Sequence, residues 1–226
     1  MGGDGGVLGG CACGGGCGEA CPCGSAFHTV GGFAVLVALT TTPPSPAVVM
    51  ECNSSCSCGT ECASRVVQRL WRAGSGGVPR AVPVEVFSHE DAALGFGVRA
   101  TGDIPQGSLL GEYTGVVVGS VADGDPRYTL CVREFTADGE ALAATCVDAS
   151  ARGGVLRFVN HSCAPNATVV TCRVDSVVPH LCLFALRDIR AGEELGFDYG
   201  EGAAPGNSST PCACGAPGCR GYLPRD

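Results

Sequence analysis

The sequence contains no lysine, and all fourteen of its basic residues are arginines. Because 22 residues are acidic, the formal net charge at pH 7 is −8. Proteins that bind nucleic acid through the phosphate backbone carry an excess of basic side chains, which this chain lacks. The composition therefore predicts a basic partner, such as a cationic peptide, and no direct sequence-specific nucleic-acid binding.

Long apolar segments are also absent from the sequence. The longest such run, Phe33–Leu39, is much shorter than the ~20 residues that a helix needs to cross a bilayer. The first residues, MGGDGGVLGGCACGGG, contain neither the basic segment nor the apolar segment of a signal peptide. We therefore expect no membrane association and no secretory leader.

A secreted, disulfide-bonded protein is nevertheless an alternative, because every asparagine lies in an N-x-[ST] glycosylation triplet. The 17 cysteines would suit such a protein, but an odd number leaves one thiol unpaired in any intramolecular disulfide scheme. The asparagines are Asn53, Asn160, Asn166 and Asn207. The spacing of the cysteines favours metal binding instead.

Nine cysteines lie within residues 11–62, in the patterns C-x-C-x3-C-x3-C-x-C and C-x3-C-x-C-x3-C. Close C-x-C pairs suit zinc better than disulfides, because neighbouring thiolates can converge on one metal site. Three tetrahedral zinc ions need twelve metal–sulfur bonds, which nine thiolates supply if three of them bridge. An ordinary two-zinc site with one spare thiol is the alternative. The candidate ligands are Cys11, Cys13, Cys17, Cys21, Cys23, Cys52, Cys56, Cys58 and Cys62.

A second cysteine group lies near the C-terminus, where PCACGAPGC gives the pattern C-x-C-x4-C. Cys212, Cys214 and Cys219 supply three ligands, whereas a structural zinc takes four. The fourth must come from another part of the chain. The candidates are Cys131, Cys146, Cys163, Cys172 and Cys182. The last two lie in apolar, strand-like runs and are expected in the core, where free cysteines are common.

Short β-like runs separated by Gly, Pro and Asp turns fill residues 83–199. The runs PVEVFSH, SLLGEYTGVVV, ATVVTCRV and HLCLFAL predict strands, and RVVQRLW predicts a short helix. Residues 24–51, between the two N-terminal cysteine groups, are expected to form a loop with one short apolar piece. Since no long amphipathic helix and no βαβ series is predicted, the fold class is mainly β.

Six segments, taken in their order along the chain, resemble those of SET-domain protein lysine methyltransferases of the Suppressor-of-variegation class. The cysteine-rich residues 11–62 are similar to the pre-SET module, and CACGAPGC is similar to the post-SET zinc loop. Between them, GFGVRA, GEYTGVVV, RFVNHSCAPN and LGFDYG are similar to the SET motifs. The resemblance implies a SET-domain fold of short sheets with a pseudoknot-like C-terminal threading, flanked by zinc–cysteine modules.

The resemblance also divides the chain into four parts. Residues 1–10 are expected to be a flexible N-terminus and residues 11–80 the pre-SET zinc module. Residues 81–201 then form the SET catalytic domain, and residues 202–226 form a linker and the post-SET zinc loop. In this division Cys163 is the fourth ligand of the post-SET zinc, and the N-terminal cluster holds three zinc ions.

Specific site residues follow from the matched motifs. The resemblance implies contacts with the cofactor S-adenosylmethionine from Leu94, Gly95, Phe96, Gly97, Tyr128, Asn160 and His161. It assigns catalytic roles to Tyr199, Tyr128 and Phe197. Phe96 stands where the family usually has tryptophan, so this chain keeps an aromatic face there but has no indole donor.

The implied activity is that of a zinc-dependent histone lysine N-methyltransferase. The expected substrate is a histone tail, with lysine nine of histone H3 as the target and a di- or trimethylated product, and the expected location is chromatin in the nucleus. One alternative is a lysine methyltransferase that acts on a non-histone protein. Another is a non-catalytic chromatin-binding protein with a SET fold, against which the intact Tyr199, Asn160 and His161 argue.

Overall fold

The computed structural model describes residues 10–14, 17, 21, 27–30, 33–36, 39, 49–72, 77, 79, 82–92, 94–135, 138–200 and 210–224. These residues form a mainly β structure with short strands, in agreement with the predicted fold class. The expected flexible N-terminus lies almost entirely outside the described residues. Within these ranges no helix combines the length and the apolar character needed to cross a membrane.

The strands are β1 (Phe27–Val30), β2 (Phe33–Leu36), β3 (Val49–Met50), β4 (Val84–Ser88), β5 (Phe96–Ala100), β6 (Leu109–Glu112), β7 (Val116–Val118), β8 (Thr129–Phe135), β9 (Ala141–Asp148), β10 (Asn160–His161), β11 (Ala167–Arg173), β12 (His180–Ala185) and β13 (Gly196–Phe197). The α-helix α1 spans Val67–Arg72, and short 3₁₀ helices span Val121–Asp123 and Val155–Phe158.

The largest sheet has the order β10-β13-β11-β12-β6, with β3 added in parallel beside β11. β11 and β12 form an antiparallel pair whose register runs from Ala167 opposite Ala185 to Cys172 opposite His180. β12 is buried along almost its whole length, which explains why HLCLFA reads as a continuous apolar run. Two smaller sheets, β4-β5 and β7-β9-β8, pack around it.

Adjacent residues of β12 enter different cores, because successive strand side chains point to opposite faces. Leu183 belongs to a large cluster with Val98 of β5 and Phe197 of β13. Phe184 belongs to a second cluster with Leu36 of β2 and Leu70 of α1. The second cluster therefore attaches the N-terminal segment to the largest sheet.

Most predicted elements are present, but several segments differ from expectation, among them β5, which was not predicted as a strand. The run SLLGEYTGVVV divides into β6 and β7 near Gly115, where a Cβ would lie 2.4 Å from the backbone oxygen of Asp148. Residues 24–51, expected to be a loop, contain the antiparallel pair β1-β2. β8 and β9 were not predicted, because their Arg, Glu, Thr and Ala content lacks a clear apolar alternation.

A single buried carboxylate organises the start of α1. Glu51 Oε1 accepts hydrogen bonds from the backbone N–H groups of Val66 at 2.7 Å and Val67 at 2.5 Å. Glu51 Oε2 accepts from the side chain of Gln68 at 2.9 Å. The first N–H groups of a helix have no partner within the helix, so this carboxylate satisfies donors that would otherwise be buried without one.

We predict that Glu51→Ala destabilises the protein by about 2–4 kcal/mol, because it leaves several buried N–H donors without a hydrogen-bond partner. The measurement is thermal or denaturant unfolding of the purified protein. Glu61→Ala is the matched control, since Glu61 is exposed and its loss should change stability by less than about 0.5 kcal/mol. Equal unfolding midpoints for the two variants would contradict this role.

Candidate active site

The centre of the site is the parallel pairing of β10 with β13. Asn160 lies opposite Gly196 and His161 lies opposite Phe197, so the Asn-His and Phe-Asp-Tyr segments run side by side as the sequence resemblance implied. Asn166, directly before β11, fixes the pairing. Its Oδ1 accepts from the Gly196 N–H at 2.9 Å, and its own N–H donates to the Gly196 carbonyl at 3.1 Å.

Asn166 is itself 3% exposed and Asn53 is 5% exposed. Glycosylation needs an accessible amide, so neither triplet can carry a sugar in the folded protein. Burial thus removes two of the four triplets on which the secreted alternative rested.

A first cavity of about 320 Å³ borders the strand pair. Asn160, His161 and Gly196 form one wall, Leu94 forms another, and residues 213–217 of the C-terminal cysteine segment close it. The C-terminal segment is therefore part of the site.

A second cavity of about 370 Å³ shares no lining residue with the first. Its lining includes the side chains of Tyr113, Val159, Phe197 and Tyr199 and the guanidinium-bearing Arg127 and Arg157. Aromatic rings and two cationic side chains thus surround the same space. The adjacent residues Gly196 and Phe197 line the first and the second cavity respectively, so the arrangement suits a reaction between two ligands in neighbouring cavities.

Tyr199 has a protonated hydroxyl at neutral pH. The residue as a whole is 36% exposed, but its hydroxyl donates to the Val159 carbonyl at 3.0 Å. Desolvation of the hydroxyl raises the pKa of Tyr199 above its ordinary value. The group is therefore a hydrogen-bond donor in this state and not a general base.

The His161 ring is held in one tautomer. Its Nδ1 accepts the Tyr199 N–H at 3.2 Å, so the ring proton lies on Nε2, which is 3.2 Å from Cys163 Sγ. Burial lowers the pKa of the His161 imidazole, which favours the neutral ring. His161 thus connects Tyr199 with the C-terminal cysteine group.

The remaining predicted cofactor residues have different environments. Leu94 lines the first cavity, and the Phe96 carbonyl accepts from Asn160 Nδ2 at 3.0 Å. The Phe96 side chain is 54% exposed and packs edge-on against Phe158. Tyr128 packs against the large core cluster, with the guanidinium of Arg157 4.5 Å from its ring centroid. Gly95 and Gly97 complete the turn and strand that carry these groups.

The C-terminal cysteines fit a tetrahedral zinc site. The Sγ atoms of Cys163, Cys212, Cys214 and Cys219 all lie within 4.8 Å of one another. Cys163 Sγ is 3.9 Å from Cys212 Sγ and 4.0 Å from Cys219 Sγ. Zinc–sulfur bonds of 2.3 Å in a tetrahedron place two sulfurs about 3.8 Å apart, which matches these distances.

The other candidates for the fourth ligand are elsewhere. Cys131 and Cys146 occupy paired positions of β8 and β9, where a disulfide joins them. Cys172 and Cys182 are fully buried in the second core cluster, as predicted for core residues.

The N-terminal cysteines form two overlapping groups. One contains Cys11, Cys17, Cys52 and Cys58, and the other contains Cys11, Cys13, Cys17 and Cys21. Cys11 and Cys17 belong to both groups, so shared thiolates are geometrically available. Cys56 and Cys62 lie beside them, with Cys62 Sγ 3.9 Å from Cys52 Sγ. Cys23 lies outside the described residues.

Comparison with known proteins identifies the family. Residues 95–200 match the SET domain. The chain is 35% identical over 229 residues to set-23 of Caenorhabditis elegans, named a probable histone-lysine N-methyltransferase, and the match covers 96% of this chain and 88% of that protein. The chain belongs to the SET-domain family of histone-lysine N-methyltransferases. The prediction of an S-adenosylmethionine-dependent protein lysine methyltransferase is thus confirmed at the level of the family.

A second SET-domain relative is longer than this chain. The histone-lysine N-methyltransferase SETMAR of Rattus norvegicus is 38% identical over 199 residues, which cover 79% of this chain and 59% of the rat protein. The chain therefore spans about three fifths of that relative's length.

Solved structures confirm the SET fold. The methyltransferase domain of human SETMAR superposes with a TM-score of 0.74 at 30% identity, covering 97% of this chain and 82% of that one. KRYPTONITE in complex with mCHH DNA, H3(1-15) peptide and SAH superposes with a TM-score of 0.70 at 28% identity, covering 96% of this chain and 44% of that one.

Two arginines of this SET protein were not predicted as site residues. Arg220 donates to Asp198 Oδ1 at 2.7 Å, and its backbone N–H points to Cys163 Sγ at 3.4 Å. Arg65 is buried, 3.7 Å from Cys58 Sγ, and donates to the Asn53 carbonyl at 2.7 Å. Each places a cation beside a cysteine group that is negative when its thiolates bind zinc. For Arg220, its position directly after Cys219 was the available sequence signal.

Proposed function

We propose that the protein transfers methyl groups from S-adenosylmethionine to lysine nine of histone H3, up to the di- or trimethyl state. The observation that carries the proposal is the β10–β13 pair, whose residues line both the first cavity, at Asn160, His161 and Gly196, and the second, at Phe197. The first cavity receives the cofactor and the second receives the substrate lysine. A radiolabelled methyl-transfer assay on core histones and H3 tail peptides, with the target lysine replaced by alanine as control, tests it.

The cofactor assignment rests on the first cavity. We assign the contacts to Leu94–Gly97, Tyr128, Asn160 and His161, of which Leu94, Asn160 and His161 line that cavity. KRYPTONITE, which shares the fold, was solved with SAH bound. The sulfonium supplies an electrophilic methyl group, and the residues of this chain hold the acceptor amine in line with it.

The substrate amine must be neutral to attack the methyl group. The free pKa of lysine is ~10.4, so deprotonation near pH 7 costs roughly 4–5 kcal/mol. Burial against the Phe197 ring and the positive charges of Arg127 and Arg157 in the same lining both disfavour an ammonium ion and reduce this cost. Tyr199 supports the in-line geometry through its protonated hydroxyl and is the principal catalytic residue. We give Tyr128 a supporting role, since its neighbours Arg127 and Thr129 line the same cavity.

The histone assignment rests on charge and on the relatives. Three zinc ions with nine thiolates and one zinc ion with four thiolates bring the formal charge of the chain from −8 to about −13. A strongly negative enzyme attracts a cationic histone tail. KRYPTONITE was solved with an H3(1-15) peptide. We therefore place the protein on chromatin in the nucleus.

Zinc holds both flanking modules in this proposal. The pre-SET module, residues 11–80, takes three ions in a cluster with bridging thiolates, which the double membership of Cys11 and Cys17 supports. The post-SET loop takes one ion. Because residues 213–217 close the first cavity, the post-SET zinc shapes the cofactor site as well as the fold.

Metal analysis is predicted to find about four zinc ions per chain in the active protein. Cys163→Ala should lose one zinc ion and the activity while the pre-SET ions stay bound. Cys172→Ala is the matched control, because Cys172 lies in the core outside both zinc groups. About one zinc ion per chain in fully active protein would rule out the three-zinc cluster.

Tyr199→Phe is predicted to reduce kcat by about 100-fold or more while cofactor affinity stays near wild type, because the hydroxyl acts in the transition state. Single-turnover methyl transfer and calorimetric binding measure the two quantities. Tyr222→Phe, in the post-SET segment, is the control and should retain turnover. A Tyr199→Phe enzyme with normal turnover would remove the residue from catalysis.

Phe197→Tyr is predicted to stop the reaction mainly at monomethyl-lysine. Phe197 is 4% exposed, lines the second cavity, and its ring centroid lies 4.8 Å from that of Tyr199. A hydroxyl here can hold a water that fills the pocket and fixes the amine, through a hydrogen bond worth about 0.5–1.5 kcal/mol. Mass spectrometry of long incubations should show di- or trimethylated product for wild type. Monomethyl product from wild type, or trimethyl product from the variant, would contradict the assignment.

A further inference from the structure

His89 lines the first cavity, although no motif of the sequence pointed to it. Its side chain is 16% exposed, and Nε2 lies 3.0 Å from Glu194 Oε1. The same nitrogen lies 3.3 Å from Asn160 Nδ2, and Glu194 Oε1 lies 3.1 Å from that amide. Three side chains from three separate segments thus meet at one corner of the cofactor cavity.

The position of His89 is fixed on several sides. Its backbone N–H donates to the Gly95 carbonyl at 2.8 Å, and its ring packs against Phe87 with centroids 4.6 Å apart. Gly97 leaves the space for the pair: a Cβ there would lie 2.8 Å from His89 Nε2 and 2.7 Å from Glu194 Oε1. A side chain at position 97 would clash with both His89 and Glu194, so this contact requires a glycine there.

The hydrogen bonds at this corner allow one arrangement. Asn160 Nδ2 has two hydrogens, and two oxygens, those of Phe96 at 3.0 Å and Glu194 at 3.1 Å, accept them. His89 Nε2 must then carry a hydrogen and donate it to Glu194, since an unprotonated Nε2 would face the carboxylate lone pair to lone pair. Both the neutral Nε2–H tautomer and the imidazolium supply that hydrogen.

This arrangement also sets the orientation of the Asn160 amide. A flipped amide would place Oδ1 against two acceptor oxygens, which is unfavourable. In the orientation observed, Oδ1 makes no hydrogen bond with the residues that the structure describes. A carbonyl-type acceptor at the wall of the cavity is thereby free to receive a donor group of a bound ligand.

We propose that His89 is a positioning residue for S-adenosylmethionine. It fixes the Glu194 carboxylate, which fixes the Asn160 amide with Oδ1 available to the ammonium group of the methionine moiety. The inference rests on the proposed function, because it assigns the cofactor to the first cavity. It concerns cofactor affinity and makes no claim on the chemical step.

The test compares His89→Ala with His89→Gln, because the glutamine amide can supply an N–H near the position of Nε2. We expect His89→Ala to weaken S-adenosylmethionine binding about ten-fold by calorimetry and to raise its KM similarly, with kcat within about two-fold of wild type. His89→Gln should recover affinity to within about three-fold. Glu90→Ala is the matched control, since Glu90 is the exposed neighbour.

Two results with the variants would overturn the proposal. One is an unchanged dissociation constant in His89→Ala. The other is a loss of affinity in both variants together with a lower unfolding temperature, which would mean that His89 only supports the hairpin. Wild-type protein that binds the cofactor but methylates no histone would refute the proposed function alone, and the binding series would still decide the role of His89. Wild-type protein that binds no cofactor would refute both.

Discussion

The parallel pairing of Asn160–His161 with Gly196–Phe197 is the constraint on which the rest of the site depends. Two two-residue strands cannot hold each other together, since so short a pairing is unstable by itself. Buried Asn166 supplies the missing stability, because it bonds the Gly196 backbone with both its side chain and its own N–H. The walls of both cavities and the position of Tyr199 follow from this one contact.

Direct contacts join the C-terminal cysteine group to the candidate active site. His161 touches Tyr199 through Nδ1 and Cys163 through Nε2, and Arg220 bridges Cys163 and Asp198. A metal in the post-SET group would fix the Cys163 thiolate and, through these bonds, the orientation of the His161 ring. The cation of Arg220 offsets negative charge on both neighbours, so the tail docks with little unpaired charge at the interface.

The sequence resemblance predicted that the motifs RFVNHSCAPN and LGFDYG lie side by side, and the β10–β13 pair confirms that placement. The sequence also predicted β4, β11, β12 and α1, whose apolar periodicity is strong. It did not predict His89, Asn166 or Glu194 as partners in one network, because they meet only through strand pairing between distant segments. β8 and β9 were missed for a related reason. Their composition does not favour strands, and they are stabilised by pairing with each other.

The absence of lysine has a consequence for the proposed reaction. Surface side chains of an enzyme are tethered near its own active site, so their effective concentration there is high. A lysine on the surface of this protein would therefore compete with the lysine of an added peptide for the second cavity. None of the 226 residues can do so. Arginine keeps the positive charge needed at Arg65 and Arg220, and its pKa is too high to yield a neutral nucleophile at pH 7. The lysine-free composition therefore leaves the second cavity open to the lysines of other proteins, and methyl-lysine formed in an assay belongs to the added substrate.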